Sequence, residues 1–329
     1  MWRDGAAHIH LPVPGVDYPP GRTPCALSHI NLILLVSVAG FKYPAIANMS
    51  AATATATATI VSFNVNGIRS INCKNKQGAK LTSDICVLHA LAQEHNVDIL
   101  CLQEIKASSN AIADLEMYRA QFPHIYARIP LEKKGYSGVA ILSRTKPLDV
   151  TEPNIGSPAD TEGRILCAEF DTFVVVTCYT PNSKTGLTRL DERLEWDAAF
   201  STYLQGVQST KGKPLIVTGD LNCAHQHIDI HNPARQEKAK PAGFTREERD
   251  SFTCLLHEAS LIDTYRTLNP TTQKWSWWST IMRGREKGVG WRIDYVLASK
   301  ELAASITTAD ILNDYYGSDH CPVIARITA

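Results

Sequence analysis

The sequence predicts a layered α/β fold built on mixed or antiparallel sheets, and three observations carry that prediction. Apolar, β-branched segments recur along the chain without a sustained strand–helix–strand rhythm, which argues against a doubly wound parallel sheet. Several of them follow one another through links too short for a crossover helix. Two also echo each other: VSFNVNG (61–67) and LIVTGDLN (215–222) each run a β-branched strand into a polar turn, hinting at two similar halves.

Bulk composition narrows the function classes. Lysine plus arginine equals aspartate plus glutamate at 33 each, so no global field draws the chain to a polyanion and any nucleic-acid contact must be local. Nine cysteines without a CxxC argue against a disulfide scaffold or zinc site and for a reducing compartment. Residues 1–58 read as a poorly structured tail. They hold a proline-rich start, an apolar run at Ile30–Phe41 and an Ala/Thr linker that follows Met49, itself an alternative start. At ~12 residues the apolar run is short of the ~20 a membrane span needs. Residues 59–329 read as one catalytic domain.

Thr59–Phe63 is the first strand and runs into Asn64-Val65-Asn66-Gly67. Arg69, Lys74, Lys76 and Lys80 then form a basic loop that reads equally as solvated or phosphate-facing. Asp84–His95 has helical spacing through Ile85, Leu88, Leu91 and Ala92. Asp98–Leu102 is a buried strand ending in Gln103-Glu104. Tyr136–Arg144, Arg164–Phe170 and Phe173–Tyr179 read as strands, the last ending in Tyr179-Thr180-Pro181-Asn182. Leu187–Leu204 is an amphipathic helix with Trp196 and Phe200 as core. Leu215–Thr218 fits a strand buried on both faces. Gly219 then releases the backbone, and Asp220 and Asn222 emerge on the turn. A polar stretch, 225–249, leads to a helix over Ser251–Ala259. Trp275-Ser276-Trp277-Trp278, a basic loop at Arg283–Lys287 and GWRIDYVL (290–297) follow. The chain closes on GSDHCP (317–322) and a strand at Val323–Ile327.

Asn64, Asn66, Glu104, Tyr179, Asn182, Asp220, Asn222, Asp294, Asp319 and His320 all sit just past apolar strands. Singly, each has a plainer reading: Asp220 and Asn222 as an Asx-turn, His320 as a satisfied core or surface histidine. Together, from separated segments, they predict strand ends converging on one pocket. Glu104, Asp319 and the Asn66 amide make an all-oxygen set suited to Mg²⁺. A hard ion there polarises a phosphate and stabilises a leaving alkoxide. His320, partnered by Asp294, can donate a charge-assisted hydrogen bond to a phosphate oxygen. The predicted chemistry is phosphodiester hydrolysis.

Nine stretches carry a family resemblance: FNVNGIR (63–69), ILCLQEIK (99–106), GYSGVAILSR (135–144), EGRILCAEF (162–170), YTPN (179–182), GDLNCAH (219–225), AGFTREER (242–249), GWRIDYVLAS (290–299) and GSDHCPV (317–323). In this order they resemble the exonuclease III family of apurinic/apyrimidinic (AP) endonucleases, within the endonuclease/exonuclease/phosphatase superfamily. The resemblance implies a four-layer, deoxyribonuclease I-like α/β sandwich, two mixed or antiparallel sheets flanked by helices. It implies Mg²⁺-dependent incision of double-stranded DNA 5′ to an abasic site, with Mn²⁺ as a substitute ion. The products are a 3′-hydroxyl and a 5′-deoxyribose phosphate, with 3′-phosphodiesterase and 3′→5′ exonuclease side activities.

By position, Glu104 resembles the principal metal ligand, with Asn66, Asp319, Asp220, Asn222 and His320 as the others around the ion. Asp220 is similar to the water-activating residue and Asn222 to the one that orients that water. Tyr179 and Asn182 resemble a phosphate-contacting pair, Asn64 lines the same pocket, and His320 with Asp294 resembles a phosphate-binding pair. Trp277, Trp291 and Ile293 align with the pocket for a flipped-out abasic sugar, and Arg283 and Arg285 with a grip on the phosphate backbone. Trp275 and Trp278 read equally as core. Three departures stand out: Asn66 where some members carry Asp, Thr185 where some carry a DNA-clamping Arg, and Ile281 in place of a Met wedge. The implied protein is a monomer without a membrane partner. Its expected compartment is the nucleus, with mitochondrion or plastid as the alternatives that the N-terminal segment leaves open. A small-phosphoester phosphatase and an inactive DNA-binding module are the competing readings.

Overall fold

The computed structural model describes residues 57–80, 85–107 and 110–328. The reading of 1–58 as a tail therefore lies outside the described residues, except that Thr57 and Ala58 already belong to the first strand. In chain order the strands are β1 (Thr57–Asn64), β2 (Ile99–Gln103), β3 (His124–Arg128), β4 (Val139–Ser143), β5 (Asp149–Thr151), β6 (Ile165–Glu169), β7 (Val174–Tyr179), β8 (Leu215–Asp220), β9 (Leu261–Asp263), β10 (Asp294–Ser299), β11 (Ile306–Ile311) and β12 (Val323–Thr328). They form two six-stranded sheets, ordered β11-β12-β1-β2-β4-β3 and β5-β6-β7-β8-β10-β9.

Read from the same end, the two orders correspond, with β1-β2-β4-β3 of one answering to β7-β8-β10-β9 of the other. β1 pairs parallel with β2 and antiparallel with β12. β8 likewise pairs parallel with β7 and antiparallel with β10. The remaining pairings are antiparallel in both sheets. The two similar halves hinted at by VSFNVNG and LIVTGDLN are present, but by strand order β1 answers to β7 and β8 to β2, so the two echoing stretches are not each other's counterparts.

Alternation along each strand builds the layers. Ile60, Ile99 and Ile141 point inward to meet Val175, Ile216 and Val296 in a core between the sheets. Their neighbours Val61, Leu100 and Leu142 point the other way, onto Leu88 and Leu91 of the helix Val87–Glu94. On the far side, Val176, Val217 and Leu297 pack against Trp196, Phe200 and Phe252 of the helices Leu190–Lys211 and Arg246–Glu258. Helix, sheet, sheet, helix is the four-layer order expected. Every residue of β8 is buried, as its unbroken apolar run requires.

The seven strands read from sequence are all interior ones, β1, β2, β4, β6, β7, β8 and β12. The five not anticipated are the four sheet edges, β3, β5, β9 and β11, and the interior β10, whose stretch was singled out without being read as a strand. No helix among the described residues is long and apolar enough to cross a membrane.

Candidate active site

Register gathers the site. In the second sheet Asp220 lies opposite Tyr179 on one side and Asp294 on the other, so three strands deliver a row of three polar groups to one end of the sheet. Gly219 makes the approach possible: at φ +145°, a Cβ there would lie 1.9 Å from the Cys178 carbonyl oxygen. Beyond the strand, Asp220 Oδ1 accepts the Asn222 amide at 2.8 Å, and in the other half Asn64 Oδ1 accepts the Asn66 amide at 3.1 Å. Both are the Asx-turns that the local sequence allowed, used twice to turn carboxylate and carboxamide groups into one space. Asn66, Glu104 and Asn222 all hold positive φ, with Glu104 the least accommodating residue type for it.

Asn64 joins the two halves. Its buried Nδ2 donates to Glu104 Oε1 and to Asp220 Oδ2, each at 2.9 Å, separating carboxylates that would otherwise repel. His320 is buried, with Nδ1 at 2.8 Å from Asp294 Oδ2 and Nε2 at 3.8 Å from Asp220 Oδ2. Asp319 accepts from Asn66 Nδ2 at 2.9 Å and from Trp277 Nε1 at 3.1 Å. Asn182 Nδ2 donates to Asn222 Oδ1 at 2.9 Å, and Asn222 Nδ2 donates to the Thr180 carbonyl at 2.8 Å. The ten polar residues named from sequence therefore form one hydrogen-bonded neighbourhood, with Tyr179 on the pocket wall.

Burial sets the charges. Loss of solvation, reinforced by Asp294, pushes Asp220 up to about 7, with His320 pulling the other way. Burial disfavours the His320 cation, but Asp294, Asp220 and Asp319 outweigh it and raise its pKa to about 10. Burial also opposes ionisation of Glu104, yet the Asn64 amide and Lys106 hold its pKa below the usual range. For Asp319 the opposing pull comes from His320, Asn66 and Trp277, with the same result. Burial and the nearby Glu104 and Asp220 carboxylates keep Tyr179 a neutral phenol.

A pocket of about 250 Å³ opens over this cluster. One wall is polar: Glu104, Tyr179, Asn182, Asp220, Asn222 and His320. The other is Trp277, Trp291 and Ile293 with Ala242 and Gly243. Trp277 and Trp291 meet edge-to-face at 5.8 Å.

The two arginines named as a backbone grip do not line this pocket. Arg283 is exposed, pairs with Glu286 and borders a neighbouring hollow beside Asp319. Arg285 is folded inward: Nη2 donates to the Asn313 and Tyr315 carbonyls at 2.7 Å, and the guanidinium stacks on Trp278 and Tyr316. Trp278 is core and Trp275 packs partly buried against it. The basic loop near residue 74 is largely tied down: Lys74 bonds the Gly317 carbonyl, and Lys76 pairs with Glu94 and Asp314. Sequence reasoning missed Lys106, whose ammonium lies 2.8 Å from Glu104 Oε2 and 2.5 Å from Asn66 Oδ1. It also missed Ser276, whose buried hydroxyl receives the Ile293 and Asp294 amides. Lys106 stands two positions past Glu104, a spacing that could have flagged it; Ser276 left no local sign.

The fold and this acidic, strand-end site define a class, and residues 61–320 match the model of the Endonuclease/Exonuclease/phosphatase family. The chain belongs to that family. It is 42% identical over 265 residues to the DNA repair nuclease APEX1 of Danio rerio, covering 80% of each chain. It is 38% identical over 268 residues to the DNA-(apurinic or apyrimidinic site) endonuclease of Dictyostelium discoideum, covering 80% of this chain and 69% of that one. Among solved structures, the AP endonuclease LMAP from Leishmania major superposes with a TM-score of 0.69 at 26% identity, covering 83% of this chain and 88% of that one.

Proposed function

We propose that the chain is an AP endonuclease, hydrolysing the phosphodiester 5′ to an abasic site in double-stranded DNA with Mg²⁺ as its ion. The observation that carries this reading is the two-sided pocket, in which a His–Asp pair, a buried carboxylate and two asparagines face an aromatic wall.

The residues suit a hard divalent cation. Ligand atoms of Glu104, Asp220 and His320 lie within 4.8 Å of one another, and Asp319 and the Asn66 carboxamide oxygen stand beside them. Oxygens of Glu104 and Asn66 already attract the Lys106 ammonium, so the cluster favours positive charge. Glu104 is the principal ligand in this reading, with Asp319, Asn66 and Asp220 supporting it. When bound, the ion polarises the phosphate and stabilises the leaving alkoxide.

The protein's own groups supply the rest. Asp220, with a pKa raised toward neutrality, accepts the proton of the attacking water. Asn222, fixed through Thr180 and Asn182, orients that water. The His320 cation, steadied by Asp294, donates from Nε2 to a phosphate oxygen, and the Tyr179 phenol and Asn182 amide donate to others. Trp277, Trp291 and Ile293 receive a sugar that has lost its base, which enters without the cost of unpairing one. That apolar wall favours DNA over a small, fully solvated phosphoester.

The test is a duplex with one tetrahydrofuran abasic analogue, incubated with Mg²⁺ or with EDTA, beside an intact duplex. The expected result is Mg²⁺-dependent nicking immediately 5′ to the analogue and none in the intact strand. Equal cutting of both duplexes, or cutting that persists in EDTA, refutes the reading.

A further inference from the structure

We infer that Arg193 is a positioning residue for this reaction: its buried guanidinium locks the turns bearing Asn182 and Asn222 into one phosphate-facing unit. The inference rests on the reading above, in which these two asparagines face the water and phosphate.

Arg193 sits in the first turn of the helix Leu190–Lys211, 2% exposed. Its Nε donates to Asp197 Oδ1 at 2.8 Å, one helical turn on. Nη2 donates to the Leu221 carbonyl at 2.8 Å. Nη1 donates to the Pro181 carbonyl at 3.1 Å and to the Asn222 carbonyl at 3.3 Å. One planar fork thus spans two turns that come from different strands, adding to the Thr180 N to Asp220 O, Asn222 Nδ2 to Thr180 O and Asn182–Asn222 bonds between them. Asn222 is in the left-handed region, so its side-chain direction depends on what restrains its peptide.

The other half of the fold shows why a side chain is needed. There the turns after β1 and β2 are joined by three main-chain bonds, Val65 N to Gln103 O, Gly67 N to Glu104 O and Ile68 N to Ile105 O, whereas Thr180 N to Asp220 O is the main-chain bond that joins the turns after β7 and β8. In the second half, the Leu221, Asn222 and Pro181 carbonyls take the Arg193 guanidinium. Asp197 neutralises it and is itself tied to Ser251 of the next helix at 3.1 Å, so the clamp is anchored to the outer layer. Removing the guanidinium takes a donor from three carbonyls and leaves the two asparagines held by fewer bonds, so their shared geometry loosens.

Arg193→Met and Arg193→Lys test this. The lysine variant keeps a cation facing Asp197 but lacks the fork that bridges both turns. Arg128→Met is the control: Arg128 is also buried and donates to main-chain carbonyls of Pro153, Ile165 and Asp160, none of which lines the pocket. On the tetrahydrofuran duplex, kcat should fall about 100-fold for Arg193→Met and about 10-fold for Arg193→Lys. The Kd for the same duplex in EDTA should stay within about threefold of wild type. Hydrogen exchange should quicken in peptides covering 179–184 and 219–224 and stay unchanged in those covering 63–69. Arg128→Met should lose thermal stability and keep its kcat. If Arg193→Met fails to fold, the lysine variant decides on the same readouts. Wild-type kcat with unchanged exchange in the folded lysine variant overturns the inference. An inactive wild type refutes the proposed activity instead, and the exchange comparison then still tests the clamp.

Discussion

At the scale of single residues, the site holds two groups, Asp220 and His320, with proton affinities well above those of the free side chains. Asp294 is the clearest lever, because among the described residues its carboxylate is hydrogen-bonded by His320 through Oδ2, while Oδ1 is buried without a partner. The His320 pKa is raised, so the cation is present below about 10 and is lost as pH rises through that value. Asp294→Asn removes the largest counter-charge. The alkaline limb of the kcat–pH profile should then move acidward by about 1–3 units, with kcat at pH 7 down about 100-fold. An unmoved alkaline limb would assign it to another group. Gly243 is a lever on the pocket wall: at φ +87°, a Cβ there would lie 2.9 Å from the Asn222 carbonyl oxygen and 3.2 Å from the Trp291 ring. Gly243→Ala should cost about 1–3 kcal/mol in urea unfolding and raise KM for the abasic duplex, since it crowds both walls at once. Seven of the ten polar site residues were legible because they lie at or just past the ends of β1, β2, β7 and β8; Asp294 instead opens β10, and Asp319 and His320 stand just before β12. Arg193 and Ser276 were not, because each reaches the site through main-chain groups of segments remote in sequence, and an arginine near a helix start looks like surface.

At the scale of elements, the approach to β10 depends on a buried ionic network. Asp229 bonds Arg292 Nε and Nη2 at 2.8 and 2.9 Å and Arg266 Nη2 at 2.5 Å, while Arg292 also reaches Asp263 at 2.7 Å. Arg292 stands between Trp291 and Ile293, so the network fixes the pocket wall through its backbone. Asp229→Ala leaves two buried guanidinium groups short of a counter-charge and should cost about 3–5 kcal/mol in urea unfolding at pH 7. Burial opposes ionisation of Asp229, but Arg292 and Arg266 outweigh it and hold its pKa low. A depressed folded pKa means the contribution is full above the unfolded value near 3.9 and fades as pH falls below it. The gap between wild type and variant should be constant from about pH 5 to 7 and narrow below about pH 4; a gap that widens in acid would contradict the assignment. The elements themselves divide largely by place in the sheet, with the interior β10 the exception that the sequence did not reveal as a strand. Interior strands such as β8 carry unbroken apolar runs because both faces are covered. The edges do not: β5 and β9 are three residues long, β3 mixes half-buried with buried positions, and β11 alternates. An edge strand has less area to bury, so its sequence carries less of the signal that betrays a strand.

At the scale of the whole molecule, two similar sheets place their site-bearing turns at one end, and the chain's neutrality means that DNA contacts must be local. With 33 basic and 33 acidic side chains there is no net field to gather a duplex. Exposed cations do occur on the segments that carry the site: Arg69 after Asn66, Lys184 after Asn182, Arg246 after Gly243, and Arg283 beside Asp319. If these four supply the phosphate contacts, log Kd against log salt should have a slope of about 3.6, measured in EDTA on the abasic duplex. Affinity would then fall about 100-fold between 50 and 200 mM salt, less than for a protein wrapped in basic surface. Arg283→Ala should lower the slope by about 1 without changing the preference for the abasic over the intact duplex, because a phosphate contact carries no information about the missing base. Trp291→Ala should do the opposite, keeping the slope and losing the preference. A Trp291 variant that changes slope, or an Arg283 variant that loses preference, would mean that grip and selection are not divided between loop cations and pocket wall. They would instead share a single surface, and the aromatic wall would have to be read as part of the duplex-binding face.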